Sequence, residues 1–213
     1  DCCLHVSNSD DNHFATGCKP VFKKGREVTE IGIGILGGGY MGKAHSVAMA
    51  SVGAVFNTPL RPRLEMICAS SQESAERYRK AFGFVRATDD WRVLVADPKV
   101  EAIVIATPQS MHREIAEAAF AVGKPVLCEK PMGADLADAE AMVAAAEATG
   151  TPNMVAYNYI RTPASQYARK LIADGVIGDV TAFRGEHTED FMADPMAPAT
   201  WRTTGMPNGT MGD

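Results

Sequence analysis

No apolar run in this sequence approaches the roughly 18 residues of a membrane-crossing helix, so no transmembrane helix is expected. Positive charge is also scarce. A formal net charge of −5 without a basic stripe gives none of the electrostatic footprint of a nucleic-acid binder, and a small neutral or weakly charged partner fits better. The first thirty residues, DCCLHVSNSDDNHFATGCKPVFKKGREVTE, lack the apolar core and small-residue cleavage site of a signal peptide, and they have no twin arginine. A cytoplasmic setting is the default expectation. The first residue is Asp1 rather than an initiator Met, so the natural start can differ.

The cysteines lack the arrangement of a disulfide framework. Of the five, Cys2, Cys3 and Cys18 lie in a polar leader while Cys68 and Cys128 lie in strand-like runs, so paired structural disulfides are not expected. Cys2, Cys3, His5, His13 and Cys18 cluster, but without CxxC or HxxxH spacing and without a second cluster to complete four ligands. No metal site is expected. Residues 1–29 read as a flexible leader, and the chain holds no internal repeat or low-complexity tract.

What is present is the composition of a soluble globular protein: 213 residues, 46% hydrophobic and 22% charged, enough for one large or two small domains. From Glu30 onward, short β-branched runs recur at 31–36, 64–69, 100–106, 125–129 and 153–157, apolar on both faces and too short for helices. Helical patterns lie between or beside them near 40–51, 72–82, 89–96, 109–122 and 135–149. The alternation predicts an α/β fold, a doubly wound parallel sheet covered by helices. Ser110 and Asp135 are placed to cap two of these helices, and Gly123 and Gly150 stand where left-handed C-terminal caps belong. Thr162 followed by Pro163 predicts a further helix start, and Gly175 its end.

The stretch TEIGIGILGGGYMGKAHS, residues 29–46, carries the first chemical signal. Gly37-Gly38-Gly39-Tyr40-Met41-Gly42 contains G-x-G-x-x-G directly after a strand and at the opening of a helix, the context that the dinucleotide fingerprint requires. Gly37 permits the tight turn, Gly39 lets a pyrophosphate approach the backbone, and Gly42 lets helix and strand pack closely. The helix start supplies free N–H groups and a positive dipole end for the phosphates. Which dinucleotide is less plain. The second strand, in RLEMICASSQES, ends in Ala69, Ser70 and Ser71, with Glu65 too early and Glu73 already in the helix to hold a ribose 2′-hydroxyl. Without a carboxylate there, a 2′-phosphate is not repelled and Ser70 can donate to it, yet no arginine sits at the strand end. NAD and NADP both remain open. A loop over 52–62, longer than usual, displaces the search for an acid from its ordinary spacing.

Two more motifs fall at the carboxyl ends of later strands, where ligands bind in doubly wound sheets. VIATPQSMH places Thr107, Pro108, Gln109 and His112 there, and PVLCEKPM places Glu129, Lys130 and Pro131. A lysine fixed between a buried strand and a proline at a nucleotide crevice suits a proton donor or a hydroxyl ligand better than a solvated surface charge.

With these residues in hand the chain resembles the Gfo/Idh/MocA oxidoreductases, the family of glucose-fructose oxidoreductase and inositol dehydrogenase. The resemblance runs from about Ile31 to the last residue, through GILGGGYMGKAHS, DDW, IVIATPQSMH, GKPVLCEKPM, VAYNY, DGVIGDV, WR and GTMGD. AVFNTPLRPRLE, RTPAS, FMADP and NGTMGD look most like its levoglucosan dehydrogenase branch. It implies a Rossmann NAD(P)-binding domain over 30–157, followed at 158–213 by the start of an incomplete α+β substrate and oligomerisation domain. It also implies hydride transfer between NAD or NADP and a ring carbon of a sugar, anhydrosugar or cyclitol, with no nucleic-acid or membrane partner and a homo-oligomeric full-length form.

In that family the lysine of Glu-Lys-Pro, here Lys130, hydrogen-bonds the reacting hydroxyl, and the proline is commonly cis. The family's proton-accepting His follows an Asp by four residues. Asp213 matches that Asp and is the last residue given, so the resemblance implies a chain truncated before the His and inactive as it stands. Tyr40 and Met41 are carried over as lining the pyrophosphate and nicotinamide, Glu129 as part of the cofactor site, Gln109 and His112 as the nicotinamide-ribose side, Asn158 as the junction with substrate, and Trp201 and Arg202 as the pair approaching the substrate. His112 reads equally as a helix-surface histidine, Trp201 as a core aromatic, and His187 and Asp190 as strand-end surface groups. Where the family often has Arg after Asn-Tyr, this chain has Ile160 and then Arg161. A non-catalytic NAD(P)-binding redox sensor is the alternative, and the intact Glu-Lys-Pro favours the enzyme.

Overall fold

The computed structural model describes residues 28–188, 190 and 193–198. In chain order these form β1 (Thr29–Leu36), α1 (Tyr40–Val55), β2 (Leu60–Cys68), α2 (Gln72–Phe82), β3 (Arg86–Thr88), α3 (Trp91–Ala96), β4 (Ala102–Ile105), α4 (His112–Ala121), β5 (Val126–Cys128), α5 (Leu136–Thr149), β6 (Asn153–Val155) and α6 (Pro163–Ala173). All strand pairs are parallel, in the order β3-β2-β1-β4-β5-β6. The order reverses between β1 and β4, which puts a topological switch point beside the glycine turn.

The runs that read as apolar on both faces are buried on both because helices cover the sheet twice. Leu36, Met66, Ile103 and Ile105 pack with Leu94 of α3, Ile115 and Phe120 of α4, and Met142 and Ala146 of α5. Ile33, Ile35, Leu64, Ile67 and Val104 turn to the other layer, against Met49 of α1 and Tyr78 and Phe82 of α2. Each fully buried Ile or Leu contributes about 1.5–3 kcal/mol. No helix among the described residues is long and apolar enough to cross a membrane.

The capping signals are met at most positions. Asp135 accepts from the Asp138 N–H at 2.9 Å, and Thr162 from the Ser165 N–H at 3.3 Å with Pro163 as the first helical residue. Gly150 (φ +63°) closes α5, while Gly123 and Gly175, both at +71°, follow α4 and α6. Ser110 is an exception. It lies inside a single 3-10 turn, Gln109–Met111, that precedes α4, and no side chain caps that helix. The leader through residue 27 lies outside the described residues.

Two further expectations are corrected. Among the described residues the sheet has six strands rather than five, because β3 is a three-residue edge strand paired there with Met66–Cys68 alone and therefore too short to carry a hydrophobic period. The segment 52–62 is not a long loop. Helix α1 runs to Val55 and β2 begins at Leu60, so the connection is only residues 56–59. Arg61, Pro62 and Arg63 disguise the start of β2, and Pro62 is tolerated there because β3 does not reach it, leaving that side of the strand unpaired.

Glu65 owes its place to a break in register. Ile33 faces Leu64 but Gly34 faces Met66, so Glu65 is the extra residue of a bulge. Only 1% exposed, it receives Arg63 and, at 2.8 Å, the Nε of Arg86. Arg86 also grips Asp97 with two parallel bonds of 2.5 and 2.8 Å, tying β3 to the end of α3. The Arg86 guanidinium, helped by the Lys99 N–H, holds the Asp97 carboxyl down at about 2.

Replacing Arg86 with Met leaves Glu65 buried beside Arg63 alone. Loss of a fully buried partner costs about 3–5 kcal/mol, and the 35% exposure of Arg86 reduces the expected loss to about 2 kcal/mol by urea unfolding. Because the Asp97 pKa is lowered on folding, its contribution is complete above the ordinary value of 3.8 and disappears as pH falls through about 2. The stability of the original chain should therefore drop across that window more steeply than that of the variant. Parallel acid profiles would contradict this assignment.

Candidate active site at the carboxyl edge of the sheet

Gly37, Gly38 and Gly39 turn the chain from β1 into α1, and protein atoms explain all but one of the glycines. Gly37 has φ +96° and donates its N–H to the Cys68 carbonyl at 2.9 Å. A β-carbon on it would fall on the Ala106 carbonyl. At Gly38 a β-carbon would enter the Tyr78 ring, and at Gly42 it would meet the Gly37 carbonyl oxygen. At Gly39 it would meet nothing within 4 Å among the described residues. The space over Gly39 is open, and it adjoins the start of a 16-residue helix that has no side-chain cap and no acidic residue in its first turn. Free N–H groups at the positive end of the helix dipole face that space. This is a cradle for an anion, and it fits a dinucleotide pyrophosphate. Tyr40, 86% exposed, stands at its edge, with Met41 half-buried beside it.

The neighbouring strand ends build the walls. After β2, Ser71 is committed to capping α2, accepting from the Ser74 N–H at 3.2 Å, while Ser70 is exposed. Glu65, in its bulge, is buried away from this edge. After β4, the buried Thr107 hydroxyl oxygen has no hydrogen-bond partner among the described residues, and a ligand is a natural complement for such a group. Gln109 is buried in the 3-10 turn that follows exposed Pro108. His112 is only 1% exposed, with Nε2 2.9 Å from the Thr107 carbonyl and Nδ1 3.0 Å from the Pro131 carbonyl. It is neither a helix-surface histidine nor a group open to a ribose. Both ring nitrogens are occupied by backbone.

After β5 come Glu129, Lys130 and Pro131, with the Lys130–Pro131 bond cis. Glu129 is 6% exposed. Its Oε1 lies 2.7 Å from the Nε2 of His45 on α1, and its Oε2 accepts the Lys130 N–H at 3.2 Å. Three strand ends thus contribute Gly37 and Gly39, Thr107 and Gln109, and Glu129 and Lys130 to this edge, with Gly42 inside α1 and His112 buried at the start of α4.

Asn158 is exposed in the one-turn helix Asn158–Arg161 beyond β6. His187 and Asp190 are exposed outside any strand, and the His187 ring meets Tyr159 edge-on at 5.8 Å. Trp201, Arg202 and Asp213 lie outside the described residues.

Sequence reasoning passed over two side chains. Tyr78 sits three residues after the buried Ala75 on α2, and its ring accounts for Gly38. His45 was visible as the residue three positions after Gly42, on the face of α1 that turns inward. Cys68 and Cys128, free and buried at the ends of β2 and β5, are no candidates for nucleophiles, since burial pushes both thiols up to about 12.

Against known proteins, residues 31–157 match the Gfo/Idh/MocA family model, described as an oxidoreductase family with an NAD-binding Rossmann fold. The chain belongs to the Gfo/Idh/MocA oxidoreductase family. Levoglucosan dehydrogenase of Pseudarthrobacter phenanthrenivorans is 41% identical over 173 residues, which is 81% of this chain and 44% of that one. Trans-1,2-dihydrobenzene-1,2-diol dehydrogenase of Mus musculus is 34% identical over 139 residues, 65% of this chain and 41% of that one. The solved structure of a levoglucosan dehydrogenase in complex with NADH and levoglucosan superposes with a TM-score of 0.84 at 39% identity, over 87% of this chain and 50% of that one. This Gfo/Idh/MocA chain therefore spans less than half the length of these two curated relatives.

Proposed function

We propose that the whole protein is an NAD(P)-dependent oxidoreductase that moves a hydride between nicotinamide and the carbinol carbon of a sugar, anhydrosugar or cyclitol, and that this chain supplies its cofactor site and one catalytic group, Lys130. The observation that carries the reading is the pairing, at one switch point, of an open anion cradle over Gly39 with the Glu129-Lys130-Pro131 loop. Gly37, Gly39 and Gly42 with the start of α1 would hold the pyrophosphate, Thr107 and Gln109 the adjoining ribose, and Ser70 the adenosine ribose. Nicotinamide, when bound, takes up or gives back the hydride.

Lys130 acts on the oxygen of the same carbinol. Its ammonium donates a hydrogen bond to the hydroxyl and stabilises the alkoxide that develops as the carbon loses hydride and the oxygen loses its proton. Asn158, Trp201 and Arg202 are assigned to the substrate side of the crevice, and Asp213 to orienting the proton acceptor. A cytoplasmic setting suits a protein that keeps Cys68 and Cys128 as buried free thiols. A redox sensor would have no use for a lysine at the cofactor crevice, which is why the enzyme reading is preferred.

The test is a panel of sugars, anhydrosugars including levoglucosan, and cyclitols, offered to the whole protein with NAD⁺ and with NADP⁺ while reduced cofactor is followed by absorbance. No turnover with any member would sink the reading. Because the end of β2 presents Ser70 rather than an acid, the two cofactors should differ by less than a thousandfold in affinity, about 4 kcal/mol. Ser70→Asp should then shift the ratio toward NAD by about tenfold or more, through repulsion of the 2′-phosphate. A ratio unmoved by Ser70→Asp would place the ribose elsewhere.

A further inference from the structure

We propose that His45 is a positioning residue for Lys130, and that through it the helix facing the cofactor phosphates also sets the aim of the lysine. The inference rests on the reading of Lys130 as the group that meets the substrate hydroxyl. The last backbone tie to the sheet is the Glu129 N–H, donated to the Ile105 carbonyl at 2.9 Å. Beyond that point side chains do the fixing. The Lys130 N–H is bonded to the carboxylate of Glu129, and the Pro131 carbonyl meets the buried ring of His112. His112 also meets the Thr107 carbonyl, so that ring anchors the far side of the loop to the end of β4.

The near side depends on Glu129. Its carboxylate is buried, and a buried carboxylate must be paired or hydrogen-bonded. His45 supplies that partner at 2.7 Å from one turn inside α1, three residues beyond Gly42, whose own place is fixed by contact with the glycine turn. With His45 gone, the carboxylate keeps the Lys130 amide and competes for the ammonium of the same residue. The ammonium would then be drawn from the substrate oxygen toward Glu129. A displacement of about 1 Å at a reacting centre costs up to about a hundredfold in rate.

The experiment compares His45→Ala, His45→Gln and Lys130→Ala in the whole protein on the sugar that the panel selects. His45→Ala should lower kcat by about tenfold to a hundredfold, with KM for the sugar and Kd for NAD(P)H within about threefold of the original. The glutamine side chain places an amide N–H near the position of the imidazole Nε2, so His45→Gln should recover most of the lost kcat. A merely structural role would lower thermal stability without that split and without that rescue. Should the alanine variant fail to fold, His45→Asn, polar but too short to reach Glu129, should show the same loss of kcat with cofactor affinity kept.

Lys130→Ala separates the two ideas. If it leaves turnover unchanged, the reading of the lysine fails and this inference with it. If it abolishes turnover while His45→Ala and His45→Asn keep kcat, or if glutamine rescues nothing, the lysine stands and the role of His45 is overturned.

Discussion

Lys130→Ala is expected to lower the turnover of the whole protein by about 10²- to 10⁴-fold while leaving NAD(P)H affinity within about threefold of the original. The asymmetry follows from where the residue sits. On the proposed reading the phosphate cradle is made of backbone at Gly37–Gly42, apart from the Glu129–Pro131 loop, so removal of the ammonium should leave the cofactor site intact. What is lost is a charge at the oxygen whose negative character grows in the transition state, an interaction far weaker in the ground state, so the loss should fall on kcat rather than on KM. Lys130→Arg should restore little, since a planar fork cannot take the place of a compact ammonium in a confined site. Single-turnover rates with saturating cofactor, set beside calorimetric titration of NAD(P)H, separate the two effects. Equal losses in rate and in cofactor affinity would show that Lys130 belongs to the cofactor site instead.

The sequence disclosed those features whose cause is local. β1, β4 and β5 were readable because burial on both faces leaves no polar alternation, and the glycine turn because a left-handed φ at Gly37 and a contact between Gly42 and its own turn impose glycine from within one short segment. The Glu129-Lys130-Pro131 loop was readable because a charged pair abruptly ends an apolar strand. The unreadable features depend on pairing across the chain. β3 exists because β2 offers three residues of free edge, and nothing inside Arg86–Thr88 announces it. Glu65 looked like a misplaced acid because the slip between Ile33 and Gly34 that turns it toward Arg86 belongs to the register of two strands. Ser110 had the chemistry of a cap but stands within a 3-10 turn, so its hydroxyl meets no helix start. Least legible in the sequence were the places where one side chain serves another. His112 was assigned to the cofactor, yet it holds Thr107 and Pro131, and the partner of Glu129 is a histidine 84 residues earlier in the chain.

Gly39→Val should weaken NAD(P)H binding by more than about a hundredfold, roughly 2.7 kcal/mol, while the fold survives. The backbone at Gly39, φ −69° and ψ −160°, is extended and open to any residue, and an added β-carbon would meet no atom of the described residues within 4 Å. The only structural penalty is a poorer N-cap for α1, about 1 kcal/mol. Gly42→Val is the counterpart. Its β-carbon would be driven into the Gly37 carbonyl, so the glycine turn cannot keep its shape and the domain should lose several kcal/mol or fail to fold. Two glycines three residues apart in one motif thus fail by different routes, Gly39 by filling ligand space and Gly42 by breaking the turn. Urea unfolding and calorimetric titration of both variants of the 213-residue chain tell the routes apart. Retained binding in a folded Gly39→Val variant would mean that the open space over that residue is not where the pyrophosphate lies, and the cofactor would have to be sought away from the start of α1.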